Sequence, residues 1–413
     1  MKKILFLITT ITIAFVCIFS SSAESAENFY WVDKTYVESN SIKIVDHVVY
    51  KLYNIGDSKW YEVYDWFDTK ETAEIVEEIN IVPEIDGIKV TAIRFNDEPL
   101  GYTDNHNYSV KKVTIPDSIK SIGNRFFSVL DGLEELAIPA TVKYIACDEA
   151  FPKSHTFYEM ESLKKITFLG NLEYLGGFEN CKQLETVILN GSVEEIYMDA
   201  FKNCESLKEF TIPEMVKLIM GGAFRNSGLM SVIIPSNVES FTYDGDSCGA
   251  FADCKNLTKV TFSESKGKYL SISDDTFRNC TSLETVTLPE NAVAVTIGYR
   301  AFRGCKNLTA VNNTENITKI YGGAFRDCTS LESFTISDKT TMIGKNAFYG
   351  CTNLKNVTVN SKTKAPKLYA NVFAKTNSAL TFTAKNATSA KSWKTALTKS
   401  GLKNAKVGYM QYV

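Results

Sequence analysis

The sequence predicts a repeat solenoid, mostly β-strand and loop, with short parallel β-strands in each coil and a C-terminal capping helix. Two observations carry this prediction. Residues 324–336 return 23 residues later as residues 347–359, and a similar segment occupies residues 200–212. Apolar and polar residues also alternate within each copy, as in a strand with one buried face. Self-similarity at this period is typical of stacked units that bury their apolar sides only against neighbours.

The N-terminus has the features of a secretory signal peptide. Met1, Lys2 and Lys3 precede an apolar run over residues 4–19, and small residues follow at positions 20–23. We predict cleavage after Ala23, so that residues 1–23 are the signal peptide and residues 24–43 lead into the folded region. The run is short of the ~20 residues that span a bilayer, so the mature chain is expected to be secreted or cell-surface, without a transmembrane segment.

Two strand pairs precede the regular repeats. Residues 48–52 and 60–63 form the first pair, and residues 79–83 and 88–93 form the second, around Asp86 and Gly87. The second pair already has the form of a repeat, with one strand ending at a proline and the next at an isoleucine. The first coil is therefore expected here, and the solenoid is assigned to residues 44–383.

From Val113 onwards the repeat is continuous. One unit reads Leu-x-x-Val-x-Ile-Pro, then a loop, then Val-x-x-Ile-Gly-x-x-Ala-Phe-x-x-Cys-x-x-Leu. Proline ends each first strand because it lacks an N–H group. The phenylalanine is predicted to fill the coil interior and to stack on the ring of the next coil. These phenylalanines are Phe127, Phe151, Phe178, Phe201, Phe224, Phe251, Phe277, Phe302, Phe325, Phe348 and Phe373.

Residues 384–413 are predicted to close the stack. Ala390, Trp393 and Leu397 share one helical face, Thr388 or Ser389 is the expected N-cap, and Gly401 suits the position after the helix. A helix laid over the last coil would shield its exposed edge.

Seven cysteines lie three residues after a repeat phenylalanine. In parallel coils their side chains point the same way rather than at one another, so we expect reduced, buried thiols. Cys147 and Cys248 lie off this ladder, and each is either a disulfide partner or a free thiol. The seven ladder cysteines are Cys181, Cys204, Cys254, Cys280, Cys305, Cys328 and Cys351.

These motifs resemble the BspA-like (Treponema pallidum-type) class of leucine-rich repeats. The resemblance covers residues 44–383, and the chain departs from it where Leu130, Ser154, Ser227 and Thr376 stand at the cysteine position. It implies a leucine-rich repeat fold and an extracellular or surface interaction protein, sometimes an adhesin for host matrix proteins. The partner implied is an extracellular protein or glycan.

The outward position between the two apolar strand residues is repeatedly threonine. We expect these threonines to form a polar strip on the concave face, which either recognises a partner or reflects the preference of threonine for exposed strand positions. The strip consists of Thr114, Thr167, Thr211, Thr261, Thr287, Thr335 and Thr358.

No arrangement of residues predicts catalysis, a cofactor or a metal site. The three histidines lie far apart, and Asp274 with Asp275 is an isolated loop pair. The net charge of −3 gives no attraction to nucleic acid. We predict a non-enzymatic protein that binds macromolecules. A solenoid carbohydrate-active enzyme and a self-assembling surface scaffold are the alternatives.

Charge is distributed unequally along the chain. Residues 24–110 hold 18 acidic and 7 basic side chains, whereas residues 352–413 hold 11 lysines and no acid. A solenoid keeps these segments at opposite ends. We expect the basic end either to attract an anionic polymer, to pair head-to-tail with the acidic end, or to serve solubility. The candidate basic patch consists of Lys385, Lys391, Lys394, Lys399, Lys403 and Lys406.

Overall fold

The structure, a computed structural model, describes residues 42–45, 48–55, 58–66, 76–93, 109–123, 126–145, 156–242, 249–264 and 267–410. The predicted signal peptide, Cys147, Cys248 and the three histidines lie outside the described residues. Two ladders of mostly parallel strands run along the described chain, and each coil contributes in turn to one and then to the other. The predicted solenoid is confirmed.

Ladder A is formed by the first strand of each coil. The strands of ladder A are β4 (Glu78–Asn80), β7 (Lys112–Thr114), β9 (Glu135–Ile138), β11 (Lys165–Phe168), β13 (Thr186–Leu189), β16 (Ser231–Ile234), β18 (Lys259–Phe262), β20 (Thr285–Thr287), β22 (Ala310–Asn312), β24 (Ser333–Ile336), β26 (Asn356–Val359), β28 (Thr381–Ala384) and β29 (Lys406–Tyr409). They pair in parallel in four segments, β4–β7, β9–β11–β13, β16–β18–β20–β22 and β24–β26–β28–β29.

Ladder B is formed by the second strand of each coil, across the core from ladder A. A short 3₁₀ helix, Thr314–Asn316, lies between the two ladders in one coil. The strands of ladder B are β6 (Ile88–Ile93), β8 (Ser121–Ile122), β10 (Tyr144–Ile145), β12 (Leu172–Leu175), β14 (Val193–Ile196), β15 (Leu218–Met220), β17 (Ser240–Thr242), β19 (Tyr269–Ile272), β21 (Ala294–Ile297), β23 (Ile317–Ile320), β25 (Met342–Ile343) and β27 (Lys367–Leu368).

A three-stranded antiparallel sheet covers the N-terminal edge of ladder B. It comprises β1 (Ile42–Val45), β2 (Val48–Ile55) and β3 (Ser58–Trp66), and β3 pairs in parallel with β6. A further short strand, β5 (Glu84–Ile85), turns back onto β6 through Asp86 and Gly87, both at positive φ. Because β4 pairs with β7 and β6 pairs with β8, the first coil lies where the sequence predicts it.

A column of eleven phenylalanine rings runs through the core between the ladders. Neighbouring rings are stacked, with centroids 4.7–5.5 Å apart. The column confirms the predicted stacking with one correction. Phe157 rather than Phe151 occupies the second position, and Met160 follows it three residues later at the cysteine position. Phe151 and Ser154, which the repeat count placed in this coil, lie outside the described residues.

The seven ladder cysteines are buried and free, as predicted. Each thiol donates a hydrogen bond to the carbonyl oxygen of the repeat phenylalanine in the preceding coil, at 2.8–3.1 Å. Ser227 takes the same position in one coil, and its hydroxyl lies 3.4 Å from the Cys254 sulfur. The cysteine therefore ties each coil to the one before it, in addition to filling space as a small apolar residue.

One coil of ladder A departs from the prediction. Residues 207–213 form no strand, although Ile212 is buried and Thr211 is exposed, as the alternation requires. The next connection, from Ser227 through Gly228 to Leu229, is one residue shorter than the usual Cys-x-x-Leu. It brings Gly228 so close to the carbonyl of Glu205 that a Cβ there would lie 2.1 Å from the oxygen. The shortened connection displaces the ladder, which resumes at β16.

The C-terminal cap is a helix and a strand. Helix α1 (Ala387–Lys399) is capped by Asn386, whose Oδ1 accepts the Ser389 N–H at 2.8 Å, so the predicted N-cap at Thr388 or Ser389 is wrong. Asn386 has the extended backbone that an N-cap needs. The predicted buried face of Ala390, Trp393 and Leu397 is confirmed. Strand β29, absent from the sequence prediction, adds a last parallel strand to β28.

The end of α1 agrees with the prediction. Gly401, at φ 106°, follows the C-cap, and its N–H donates to Thr398 O at 3.2 Å. The Leu402 N–H donates to Leu397 O at 2.9 Å, which completes the Schellman pattern. The reversal directs the chain back to ladder A, where β29 forms.

Candidate binding surface

The outward face of ladder A presents two rows of side chains. Inward residues such as Val260, Val286 and Val357 are at most 1% exposed, and the residues that flank them in sequence point away from the core. The threonines of the predicted strip occupy one of these rows. Because the strands pair in parallel and in register, equivalent residues of successive coils lie side by side.

The structure brings the predicted threonines together in two places. Thr261 is paired with Thr287, and Thr335 is paired with Thr358. Thr383, which the sequence analysis did not include, continues the second group because it pairs with Thr358. Asn312 lies between the groups and donates from Nδ2 to Thr287 Oγ1 at 3.4 Å.

The remaining three threonines are separated from these groups. Thr114 pairs with Asn80, and Thr167 lies between Ala137 and Ile188. Thr211 is exposed but belongs to no strand, so its predicted place in a continuous strip is wrong. The row is therefore a threonine surface only from β18 to β28.

Charged pairs mark the N-terminal part of the same face. Lys164 Nζ lies 2.9 Å from Glu134 Oε2, and Lys165 Nζ lies 3.0 Å from Glu135 Oε2, each pair joining neighbouring coils. The hydrogen bond and charge of Lys164 lower the pKa of the exposed Glu134 carboxyl. Such exposed pairs stabilise the fold little, but they cancel charge at this end of the face.

An apolar residue borders the threonine surface. Ile233, on β16, has 64% of its surface exposed and is paired with Thr261 of β18. Met230, just before β16, is 52% exposed. The sequence carried a signal for Ile233, since it occupies the outward position that is threonine in neighbouring coils.

The six predicted lysines lie around the C-terminal cap. Lys391, Lys394 and Lys399 are on α1, and all six except the half-buried Lys385 are exposed. Within the part of the chain that the structure describes, none of them forms an ion pair. These lysines therefore lie at one end of the stack, without ion-pair partners among the described residues.

The turns between ladder B and the next ladder A strand hold an ionic network around the buried Asp275. Arg300 Nη2 lies 2.7 Å from Asp275 Oδ2, and Arg278 Nε lies 3.7 Å from Asp275 Oδ1. Burial raises the pKa of the Asp275 carboxyl, and the two guanidinium groups oppose the rise. Asp274 instead accepts the Tyr299 N–H at 2.7 Å. The two aspartates thus have separate structural contacts and do not form a paired acid and base.

The described residues hold neither a metal-ligand cluster nor a membrane-spanning helix. No group of three or more histidine, cysteine, aspartate or glutamate side chains there is placed to hold a metal ion. The described helix is also not of the length and apolar character that crossing a membrane requires.

The family model for the BspA-type leucine-rich repeat region matches residues 103–156, 153–245 and 247–388, with six copies. The chain belongs to this family. Leucine-rich repeat proteins generally bind other macromolecules, and proteins of this type are typically secreted or at the cell surface. No curated protein matches the sequence.

Solved structures of bacterial leucine-rich repeat proteins are similar to the chain. One from Bacteroides ovatus is 21% identical, with a TM-score of 0.44, and the match covers 83% of this chain and 100% of that one. A leucine-rich cell surface protein from Faecalibacterium prausnitzii is 20% identical, with coverages of 87% and 98% and a TM-score of 0.38. The leucine-rich repeat protein of T. pallidum is 17% identical, with coverages of 68% and 87% and a TM-score of 0.31.

Proposed function

We propose that the protein is exported and binds an extracellular protein through the outward face of ladder A from β18 to β28, which we call the threonine surface. The observation that carries the proposal is the uncharged character of this face. From β18 to β28 its two outward rows contain threonine, serine, asparagine and alanine, with Lys259 as the one charged residue. The proposal also rests on the binding role general to the family and on the predicted signal peptide.

An uncharged polar face suits protein recognition for two reasons. Hydroxyl and amide groups hydrogen-bond to a partner without the large desolvation cost of a buried charge. Threonine, serine and asparagine also lose less side-chain entropy on binding than lysine or glutamate. The six strands extend over about 24 Å, and the exposed Ile233 adds apolar contact at the border.

Lysine substitutions on the threonine surface should strongly weaken binding without unfolding the protein. We expect the variant with Thr261→Lys, Thr287→Lys and Thr335→Lys to retain its melting temperature, because these side chains are outside the core. Protein captured from an extracellular-matrix extract by immobilised residues 24–413 should fall at least about tenfold, since each buried lysine costs on the order of 1–3 kcal/mol.

A control variant carries the same added charge elsewhere. Thr341→Lys, Thr388→Lys and Thr395→Lys change exposed positions away from ladder A. Equal capture by both variants would show that the partner does not use the threonine surface. Unfolding of the first variant would show that its threonines are buried.

The basic C-terminal end supports a second proposal, that this end docks on an anionic polymer. The six lysines lie on one cap, have no ion-pair partner among the described residues, and belong to a segment of 62 residues without an acid (352–413). Exposed charges attract over about 8 Å at physiological salt, so the cap acts independently of the acidic N-terminal segment.

Retention on heparin at low salt should depend on these lysines. Replacing all six by glutamine should make the protein elute earlier by an amount that shrinks as salt rises. A control with the same charge change should elute close to the parent. It replaces Lys208, Lys255, Lys259, Lys306, Lys319 and Lys345, which are exposed and lie outside the cap. Co-elution of the two variants would show that retention depends on net charge and not on the lysines of the cap.

A further inference from the structure

An open groove of about 500 Å³ lies on the outward side of ladder B, on the other ladder from the threonine surface. Three adjacent coils supply its floor, with Ser240 on β17, Ser271 on β19 and Thr296 on β21. Ser271 and Thr296 are paired in register, so their hydroxyls lie side by side. Ser273 adds a fourth hydroxyl two residues beyond Ser271.

These four hydroxyls have no hydrogen-bond partner in the protein among the described residues. Elsewhere in the stack, hydroxyls are used to join coils. Thr309 Oγ1 donates to Glu284 O at 3.0 Å, and Thr341 Oγ1 donates to Thr318 O at 3.1 Å. The groove therefore collects polar groups that are available to a ligand, which is the usual character of a binding site.

Two tyrosines form one end of the groove. The rings of Tyr299 and Tyr321 lie 5.0 Å apart and are tilted by 44°. Tyr299 packs against the backbone of Gly322, where a Cβ would lie 3.2 Å from two ring carbons and would crowd the ring. One side of the ring is thus supported by the next coil, while 51% of the residue stays exposed. Such a supported, exposed ring is a rigid apolar platform.

A carboxylate stands beside this platform. Asp274 Oδ1 accepts the Tyr299 N–H at 2.7 Å, which fixes the carboxylate and the tyrosine relative to each other. Asp274 is exposed and is the one acidic residue among the groove-lining residues. A carboxylate accepts two hydroxyl hydrogen bonds at once and binds them more strongly than a neutral acceptor does.

We propose that this groove binds a neutral saccharide chain. A pyranose ring has an apolar face of C–H groups, which matches the exposed ring of Tyr299, and a rim of hydroxyls, which matches Asp274 and the four free hydroxyls. A quaternary ammonium ion is a poorer match, because it is bound by aromatic faces on several sides and uses no hydroxyls. A single carboxylate also lacks the second acid that glycoside hydrolysis needs, so the site binds without cleaving.

The exposed Tyr269 extends the site along the strand. It lies two residues before Ser271 on the same outward face of β19, and 75% of its surface is exposed. A second sugar ring bound over the hydroxyl floor would reach it. The groove therefore fits several sugar units better than a monosaccharide. The inference stands whether or not the threonine surface binds protein, because the two sites lie on different ladders.

Calorimetric titration of residues 24–413 with hexasaccharides tests the proposal. The probes are cellohexaose, chitohexaose, maltohexaose, laminarihexaose and mannohexaose. We expect at least one to bind, and expect Tyr299→Ala and Asp274→Asn each to weaken it at least about tenfold, through loss of stacking and of the charged acceptor. Tyr299→Phe should stay within about twofold of the parent, because the ring is kept.

Tyr369→Ala is the matched control. Tyr369 stands at the same repeat position as Tyr321, is 39% exposed and lies outside the groove, so this variant should bind like the parent. Failure of all five sugars to bind would overturn the proposal. So would equal losses in Tyr369→Ala and Tyr299→Ala, or Tyr299-dependent binding of tetramethylammonium in place of every sugar.

Discussion

Deletion of residues 385–413 should make the protein aggregate. The deletion removes α1 and β29, so that β28, still paired with β26 on its other side, becomes the edge strand of ladder A. It also uncovers Phe382, whose ring stacks on Trp393 at 6.2 Å. Open strand edges and apolar ends favour pairing with other chains. Light scattering of the truncated protein should show growing particles, and a monomer with unchanged melting temperature would refute the capping role.

Trp393→Ala should destabilise the cap in the full-length chain. Trp393 is fully buried, and its Nε1 donates to Ser361 Oγ at 2.9 Å. Removal of a large buried aromatic side chain costs about 3–5 kcal/mol. Lys394→Ala, at the exposed neighbouring position on α1, should leave the melting temperature unchanged. Together the two variants show whether the buried face of α1, rather than any position on the helix, stabilises the protein.

Alkaline pH should destabilise the solenoid. Burial raises the pKa of the Cys181 and Cys351 thiols to about 12, and it raises the pKa of Cys204, Cys280, Cys305 and Cys328 as well. An unfolded thiol ionises near pH 8.5, so the stabilisation is complete below that pH and declines as the pH rises towards the folded values. The free energy of unfolding should therefore fall as the pH rises above 8.5, because the unfolded thiols ionise while the buried thiols of the folded protein stay protonated.

Urea unfolding followed by circular dichroism at pH 7.5 and pH 10 measures this effect. The variant with Cys181→Ser and Cys351→Ser should lose less stability over the same range, because serine does not titrate. Serine also fits the cysteine position of the repeat, as Ser227 shows. An identical pH dependence in the two proteins would rule out the thiols as the cause. Thiol titration in denaturant without reductant should first find at least the seven ladder cysteines free.

The repeat period predicted most of the fold because each coil contacts mainly its two neighbours. A regular spacing of phenylalanines therefore implied a column of rings. The prediction of the column was wrong where the phenylalanine spacing was irregular. Phe151 and Phe157 lie six residues apart in an insertion, and periodicity alone does not choose between them.

Local detail at the C-terminus was harder to predict. Asn386, Thr388 and Ser389 are all good N-caps, and the choice depends on which residue has an extended backbone. Strand β29 has no strongly buried residue, so no alternation marked it. Its formation depends on the open edge of β28, a tertiary feature that the local sequence does not carry.

The sequence predicted part of the threonine surface but not the groove on ladder B. The outward threonines follow directly from strand alternation. The absence of a strand at Thr211, in contrast, depends on the short connection through Gly228. The saccharide groove had no sequence signal. Its hydroxyls come from three coils separated by insertions, and single serine, threonine and tyrosine residues in different coils form no motif.

The even spacing of the C-terminal coils makes their junctions interchangeable. Phe302, Phe325 and Phe348 are 23 residues apart, their rings stack at 5.4 and 5.2 Å, and the thiols of Cys328 and Cys351 each bond to the preceding phenylalanine carbonyl at 3.1 Å. Each coil presents to its successor the surface that it receives from its predecessor. A whole coil can therefore be added or removed without creating a new kind of interface, so the length of the molecule can change in steps of one coil while the form of every junction is kept.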